Sequence, residues 1–133
     1  VCNDWQMSLF PVIFKNLYKG NIEQFDNTKV ISMFHSYNDL YKFSNTLFKS
    51  MNLDCNNKKK HQNTLELAFE YSDFIYLFDD GELIKEINKN KNVKKFIADQ
   101  KKCKIIDVKE LDFSEKIEMY NSLKEDLYSI SKK

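Results

Sequence analysis

The 133-residue chain carries 21 basic and 20 acidic side chains, which gives a formal net charge of +1. Its residues are 42% hydrophobic and 14% aromatic, enough for the core of one domain, so global disorder is excluded. Two glycines and one proline are too few for the turns of an all-β domain or for the glycine-rich crossovers of a parallel α/β domain. These totals predict an all-α fold, a single helical bundle of about six helices.

Every basic residue is lysine, and 14 residues are asparagine. This bias is typical of an A+T-rich genome, such as that of a parasitic protist or a large DNA virus. The chain lacks arginine, whose planar fork reads guanine and phosphate, so nucleic acid is disfavoured as a partner. Because the first residue is Val1 and not methionine, residues 1–133 are interpreted as one domain excised from a longer protein. The compartment is left open.

The first predicted element is a helix from Asp4 to about Tyr18. Asp4 or Ser8 can cap it, and Gly20 sits where a C-terminal glycine cap belongs. Pro11 disfavours one continuous helix and fits better near a helix start or at a kink.

The strongest periodic signal runs from Val30 to Met51, where apolar residues keep helical spacing over about six turns. It predicts a second helix, capped by Asn27 or Thr28. The alternative is a pair of shorter helices divided at residues 38–39.

A polar loop, residues 52–63, separates this helix from the next and carries the lysines Lys58–Lys60. The third helix is predicted over Leu65–Phe78, opened by Thr64. It is apolar nearly all round, so we expect it to be the central and most buried helix. The remaining predictions are short helices near residues 82–88 and 93–102, an irregular connector at residues 103–112 and a last helix capped by Ser114.

The residues that usually carry chemistry form no recognisable site, so no catalytic residue, cofactor or metal is predicted. Two glycines cannot build a phosphate loop, and His35 and His61 lack the spacing of metal ligands. Three cysteines, Cys2, Cys55 and Cys103, are not a disulfide framework. Reduced thiols are favoured, while a bridge between Cys55 and Cys103 stays open for a secreted protein.

Charge is unevenly distributed along the second half of the chain. From Lys85 to Lys104 there are eight lysines and two acidic residues, and from Ile105 to Asp126 there are seven acidic residues and three lysines. The basic stretch could contact a membrane surface or nucleic acid. A solvated helix face, balanced by its acidic neighbour, is favoured.

Three stretches of the chain share their apolar pattern with one known family. They are VISMFHSYNDLYKFSNTLFKSM from Val30, LELAFEYSDFIYLFDDGELIKEINKNKNVKKFIADQKK from Leu65 and LDFSEKIEMYNSLKEDLYSI from Leu111. Read in order, they resemble the first two-thirds of a Dbl-homology domain, the exchange module that acts on Rho-family GTPases. The chain looks like a degenerate, truncated form of it.

This resemblance implies a protein-binding helical module that binds or regulates a Rho-type GTPase and has no catalytic side chains of its own. It also implies that the first and last helices lie side by side and present Asp4, Lys116, Lys124 and Glu125 to the partner. The alternative is a parasite or viral helical interaction domain that binds a host or partner protein without GTPase activity.

Overall fold

A parallel β-sheet forms the centre of the structure, so the fold is mixed α/β. The computed structural model describes residues 1–37, 42–53 and 61–132. The strands in chain order are β1 (Cys2–Asn3), β2 (Ile31–Phe34), β3 (Lys42–Ser44), β4 (His61–Asn63), β5 (Phe74–Asp79) and β6 (Cys103–Asp107). Four lie parallel in the order β1-β2-β5-β6, while β3 and β4 pair antiparallel in a small second sheet.

Helices occupy the connections between the parallel strands and follow the last of them. A π-helical turn, Phe14–Tyr18, directly continues the first helix, and 3₁₀ turns lie at Trp5–Met7 and Glu23–Phe25. The α-helices in chain order are α1 (Leu9–Ile13), α2 (Asn45–Ser50), α3 (Thr64–Tyr71), α4 (Leu83–Lys89), α5 (Lys91–Ile97) and α6 (Phe113–Ser131).

Both faces of the inner strand β5 are buried. Successive side chains of β5 point to opposite faces, so Ile75 and Leu77 belong to one apolar cluster and Tyr76 and Phe78 to another. The first cluster is completed by α3, α4 and α5, and the second by α6, whose Leu123 is buried in it. A parallel sheet covered in this way is typical of α/β proteins.

The all-α prediction of a bundle of about six helices is therefore wrong. The stretch Val30–Met51 was predicted to be one long helix, but its described residues form β2, β3 and α2. The proposed break at residues 38–39 lies outside the described residues. All four residues of β2 are buried, because the strand lies between β1 and β5 inside a covered sheet. Its run of buried residues, apolar except for Ser32, therefore resembled part of a helical stripe.

The predicted central helix Leu65–Phe78 is also wrong as a helix, since it divides at Ser72 into α3 and β5. Ser72 has an extended ψ of 151°, and its buried hydroxyl lies 2.7 Å from that of Ser32 on β2. The predicted burial of the segment holds, because Phe69 and Leu77 are buried and Phe74 is half-buried. The connector predicted at residues 103–112 contains β6.

The last three helices lie close to their predicted positions, and Gly20 adopts the positive φ of 83° expected after a helix. The predicted cap of α6 at Ser114 is wrong. Asp112 caps the helix: its carboxylate accepts a hydrogen bond from Glu115 N, and the Glu115 carboxylate accepts one from Asp112 N. This capping box satisfies two N–H groups at once.

The lysines Lys58–Lys60 lie outside the described residues, so their place in a polar loop stays a prediction. His61, predicted in the same loop, instead begins β4. Among the described residues, no helix is long and apolar enough to cross a membrane.

Asp73 ties the beginnings of β2 and β5 to the π-helical turn. Its carboxylate accepts a hydrogen bond from Val30 N at 2.7 Å and lies 3.0 Å from Lys15 Nζ. Burial opposes ionisation of this carboxyl group, but the two contacts outweigh burial and hold the pKa of Asp73 below its usual value. The ionised carboxylate therefore stabilises the folded state.

Asp73→Asn is expected to lower the free energy of unfolding by about 1 kcal/mol at neutral pH, because the charge opposite Lys15 is lost. The folded-state pKa is depressed, so the advantage of Asp73 is present above the unfolded-state pKa and disappears as pH falls through the folded-state pKa. Urea unfolding of both proteins at decreasing pH measures this. If the difference in unfolding free energy between the two proteins stays constant down to acidic pH, the role assigned to the ionised Asp73 carboxylate is wrong.

Candidate functional site at the carboxyl edge of the sheet

The carboxyl ends of the four parallel strands meet at one edge of the sheet. Asp4 follows β1, His35 follows β2, and Asp79 and Asp107 end β5 and β6 as register partners. In open α/β sheets, ligands bind in the crevice outside the carboxyl ends of the strands. This edge is therefore the candidate functional site.

Asp4 holds the turn that follows β2. Its backbone has a φ of 55°, a left-handed conformation that aspartate adopts more readily than most residues. Its Oδ1 accepts hydrogen bonds from His35 N at 2.7 Å and from Ser36 N at 3.2 Å. The carboxylate thus fixes the backbone on which the His35 side chain is carried.

The His35 ring is held by three neighbours. It stacks flat on the buried ring of Phe78, with centroids 4.5 Å apart and planes 5° apart. Its Nδ1 lies 3.5 Å from Asp4 Oδ2, and its Nε2 lies 3.3 Å from the hydroxyl oxygen of Tyr120. The side chain is still 40% exposed. An imidazole so placed can accept or donate a hydrogen bond to a bound hydroxyl group.

Tyr120 comes from α6, far along the chain from the other residues of this edge. Its ring centroid lies 5.9 Å from that of Phe78, and the residue is 48% exposed. Asp4, His35, Phe78 and Tyr120 together are called the edge cluster. It combines a carboxylate, an imidazole, a phenol and an apolar floor at an accessible position.

A tight turn after β5 completes this edge. Asp79 Oδ1 accepts hydrogen bonds from Gly81 N at 3.1 Å and from Ile84 N at 3.2 Å, which fixes the start of α4. Gly81 has a φ of 97°, a conformation that side chains disfavour. The glycine therefore allows β5 to turn directly into α4.

Apart from the edge cluster, an open depression of about 460 Å³ lies next to the residues that follow β2. It is lined by Tyr37 and by residues of α4 and α5, and the Tyr37 hydroxyl accepts hydrogen bonds from Asn63 Nδ2 and Asn90 Nδ2, at 3.0 and 3.2 Å. These bonds connect α3 to the junction of α4 and α5. The other lining residues are Glu86, Lys89 and Lys91.

The structure brings some of the sequence-predicted site residues together. Asp4 belongs to the edge cluster, and Lys116 and Lys124 lie exposed on α6, one turn before and one turn after Tyr120. Glu125 is exposed on a different side of that helix. His35 and Tyr120 were not among the site residues predicted from the sequence.

The cysteines that the structure describes are poor candidates for chemistry. Cys2 and Cys103 are buried and unbridged. Burial raises the pKa of Cys103 to about 12 and also raises that of Cys2, so both remain protonated at neutral pH. Cys55 lies outside the described residues, but Cys103 is free and so does not form the bridge considered from the sequence. Within the described ranges, no group of three or more His, Cys, Asp or Glu residues is placed to hold a metal ion.

The lysine-rich stretch Lys85–Lys104 is partly neutralised by neighbouring acids. Lys85 Nζ lies 2.8 Å from the Glu82 carboxylate, and Lys104 Nζ lies 2.8 Å from that of Asp126 on α6. Exposed pairs such as these contribute little to stability, because water and salt screen them. Contact of this stretch with a membrane surface, the less favoured alternative from the sequence, is not tested by these contacts.

Polar side chains gather at the carboxyl edge of the parallel sheet, the edge at which α/β domains bind their ligands. The model of a family described as the starch synthase catalytic domain matches residues 1–99, about three quarters of the chain. The chain therefore belongs to this family of glycosyltransferases. No match was found among curated proteins or among solved structures.

The family match corrects the functional predictions made from the sequence. The resemblance to a Dbl-homology domain is wrong, and with it the prediction of a GTPase binder or exchange-factor-like regulator. The alternative, a parasite or viral helical interaction domain, has no support either. The expectation that the chain is not an enzyme is also wrong, because the family is an enzyme family. The resemblance depended on apolar spacing, which buried strands and helices share.

Proposed function

We propose that the chain binds a glucose polymer at the edge cluster and takes part in glycosyl transfer to it. The observation that carries this proposal is the position of the family match. Residues 1–99 include Asp4, His35 and Phe78, which the fold gathers at the carboxyl edge of the sheet. Starch is a chain of glucose units, so an α-glucan is the ligand that the family description suggests.

The chemistry of the edge cluster suits a sugar. His35 Nε2 and the Tyr120 hydroxyl lie side by side and can share hydrogen bonds with neighbouring sugar hydroxyl groups. The Asp4 carboxylate orients the imidazole by accepting a hydrogen bond from the backbone N–H of His35. It also faces His35 Nδ1, which favours a proton on that nitrogen and leaves Nε2 as an acceptor. The exposed parts of the His35 and Tyr120 rings can pack against the apolar face of a pyranose ring.

Binding of maltotriose, a three-unit fragment of starch, tests this proposal. His35→Ala is expected to weaken binding about tenfold, because it removes a hydrogen-bonding ring from the centre of the cluster. Isothermal titration calorimetry measures the affinity, and circular dichroism checks that the variant is folded.

His61→Ala is the matched control, since His61 is the other histidine of the chain and is exposed on β4. Its affinity for maltotriose should equal that of the unaltered protein. The proposal fails if the unaltered protein does not bind maltotriose, or if the two histidine variants weaken binding equally.

A further inference from the structure

The helix α6 carries an uncovered row of apolar side chains. Phe113 is 79% exposed, Ile117 46%, Tyr120 48% and Tyr128 60%. Single exposed apolar residues are ordinary on protein surfaces, but exposed apolar residues grouped on one side of a helix point to a binding surface. The other apolar residues of α6, Met119, Leu123, Leu127 and Ile130, pack on the sheet.

These four exposed residues form one line along the helix. Their spacings of four, three and eight residues keep them on one side, and a rise of 1.5 Å per residue gives the line a length of roughly 22 Å. This line is called the α6 stripe. It passes through the edge cluster, because Tyr120 belongs to both.

We propose that the α6 stripe binds the part of an α-glucan chain that extends beyond the edge cluster. The inference rests on the proposed function, since a polymer held at the cluster must continue across neighbouring surface. The stripe is aromatic at three of its four positions, and aromatic rings match the apolar faces of successive sugar rings. The exposed Lys116 and Lys124 border Tyr120 and can hydrogen-bond sugar hydroxyl groups.

The size of the stripe favours a glucan over a second copy of the chain. Its four side chains expose roughly 400–500 Å², given that an aromatic residue presents about 150–250 Å² in full. A stable protein interface buries about 800 Å² on each partner. The stripe is long and narrow, and it is interrupted by the charge of Lys124, which a dimer would have to desolvate.

The test compares maltotriose with maltoheptaose, a seven-unit chain. The unaltered protein should bind maltoheptaose about tenfold more tightly than maltotriose. The double variant Phe113→Ser/Tyr128→Ser should bind both ligands as tightly as the unaltered protein binds maltotriose, because it removes the two ends of the stripe and keeps Tyr120. Phe10→Ser/Tyr18→Ser is the matched control, since these two rings are 43% exposed on a different helical segment. It should bind like the unaltered protein.

The outcomes separate the stripe from the edge cluster. Equal binding of the two ligands by the unaltered protein would overturn the stripe and leave the proposed function standing. Binding of maltoheptaose alone, lost in the Phe113→Ser/Tyr128→Ser variant, would overturn the proposed function, and with it the stripe as an extension of the edge cluster. The stripe is also overturned if that double variant changes the molar mass in light scattering while its glucan affinity is unchanged, since a dimer surface would then be the explanation.

Discussion

Leu77→Ala is expected to lower the free energy of unfolding by about 2–5 kcal/mol. Leu77 lies on β5, an inner strand of the sheet, and is fully buried in the cluster formed with α3, α4 and α5. Its removal leaves a cavity that the rigid neighbouring strands cannot close. Urea unfolding followed by circular dichroism gives the difference, and the glucan affinity near neutral pH should change little while the protein remains folded.

Ile105→Ala is the matched control for this prediction. Ile105 is the register partner of Leu77 on β6 but is 45% exposed. Truncating it should cost less than about 1 kcal/mol, as most substitutions at exposed positions do. Equal losses of unfolding free energy in the two variants would show that Leu77 is not more deeply buried than Ile105.

The sheet could not be predicted from apolar periodicity because its inner strands are covered on both faces. The run from Phe74 to Phe78 has no polar alternation, so it joined the real helix α3 into one apparent helix. The only interruption is Ser72–Asp73, two residues that a helix could carry on its surface. By contrast, α6 has one apolar and one polar side, and its position was predicted nearly correctly.

The scarcity of glycine was a misleading argument against an α/β fold. Both glycines, Gly20 and Gly81, do adopt positive φ, but Asp4 and Asn52 adopt it as well, at 55° and 53°. Aspartate and asparagine tolerate the left-handed region better than other residues that have a side chain. In a chain with 14 asparagines, turns that elsewhere require glycine have a substitute.

The edge cluster was predicted only in part. Asp4 was chosen as a partner contact for its place in a resemblance that proved wrong, and its carboxylate instead contacts the backbone after β2. His35 could not be recognised, since its position directly after β2 was read as part of a helix. Tyr120 lies outside the family match and meets His35 across 85 positions of sequence. Such a contact depends on the order of the strands in the sheet, which the spacing of apolar residues does not reveal.

Asp4 supports the edge cluster through its backbone conformation and its carboxylate, and two substitutions separate these roles. Asp4→Ala should lower the free energy of unfolding by about 2–3 kcal/mol, because two N–H groups lose their acceptor and alanine is strained at a φ of 55°. Asp4→Asn keeps an oxygen acceptor and tolerates this φ, so its loss should stay below about 1 kcal/mol. Urea unfolding measures both losses.

The asparagine variant then isolates the carboxylate for binding. Without the charge near His35 Nδ1, the imidazole is less firmly held in the form that accepts a hydrogen bond at Nε2. Maltotriose affinity should therefore fall several-fold in Asp4→Asn, although the fold is nearly as stable as before. If Asp4→Asn binds maltotriose like the unaltered protein while Asp4→Ala does not, Asp4 acts through the backbone alone, and the carboxylate has no part in orienting His35.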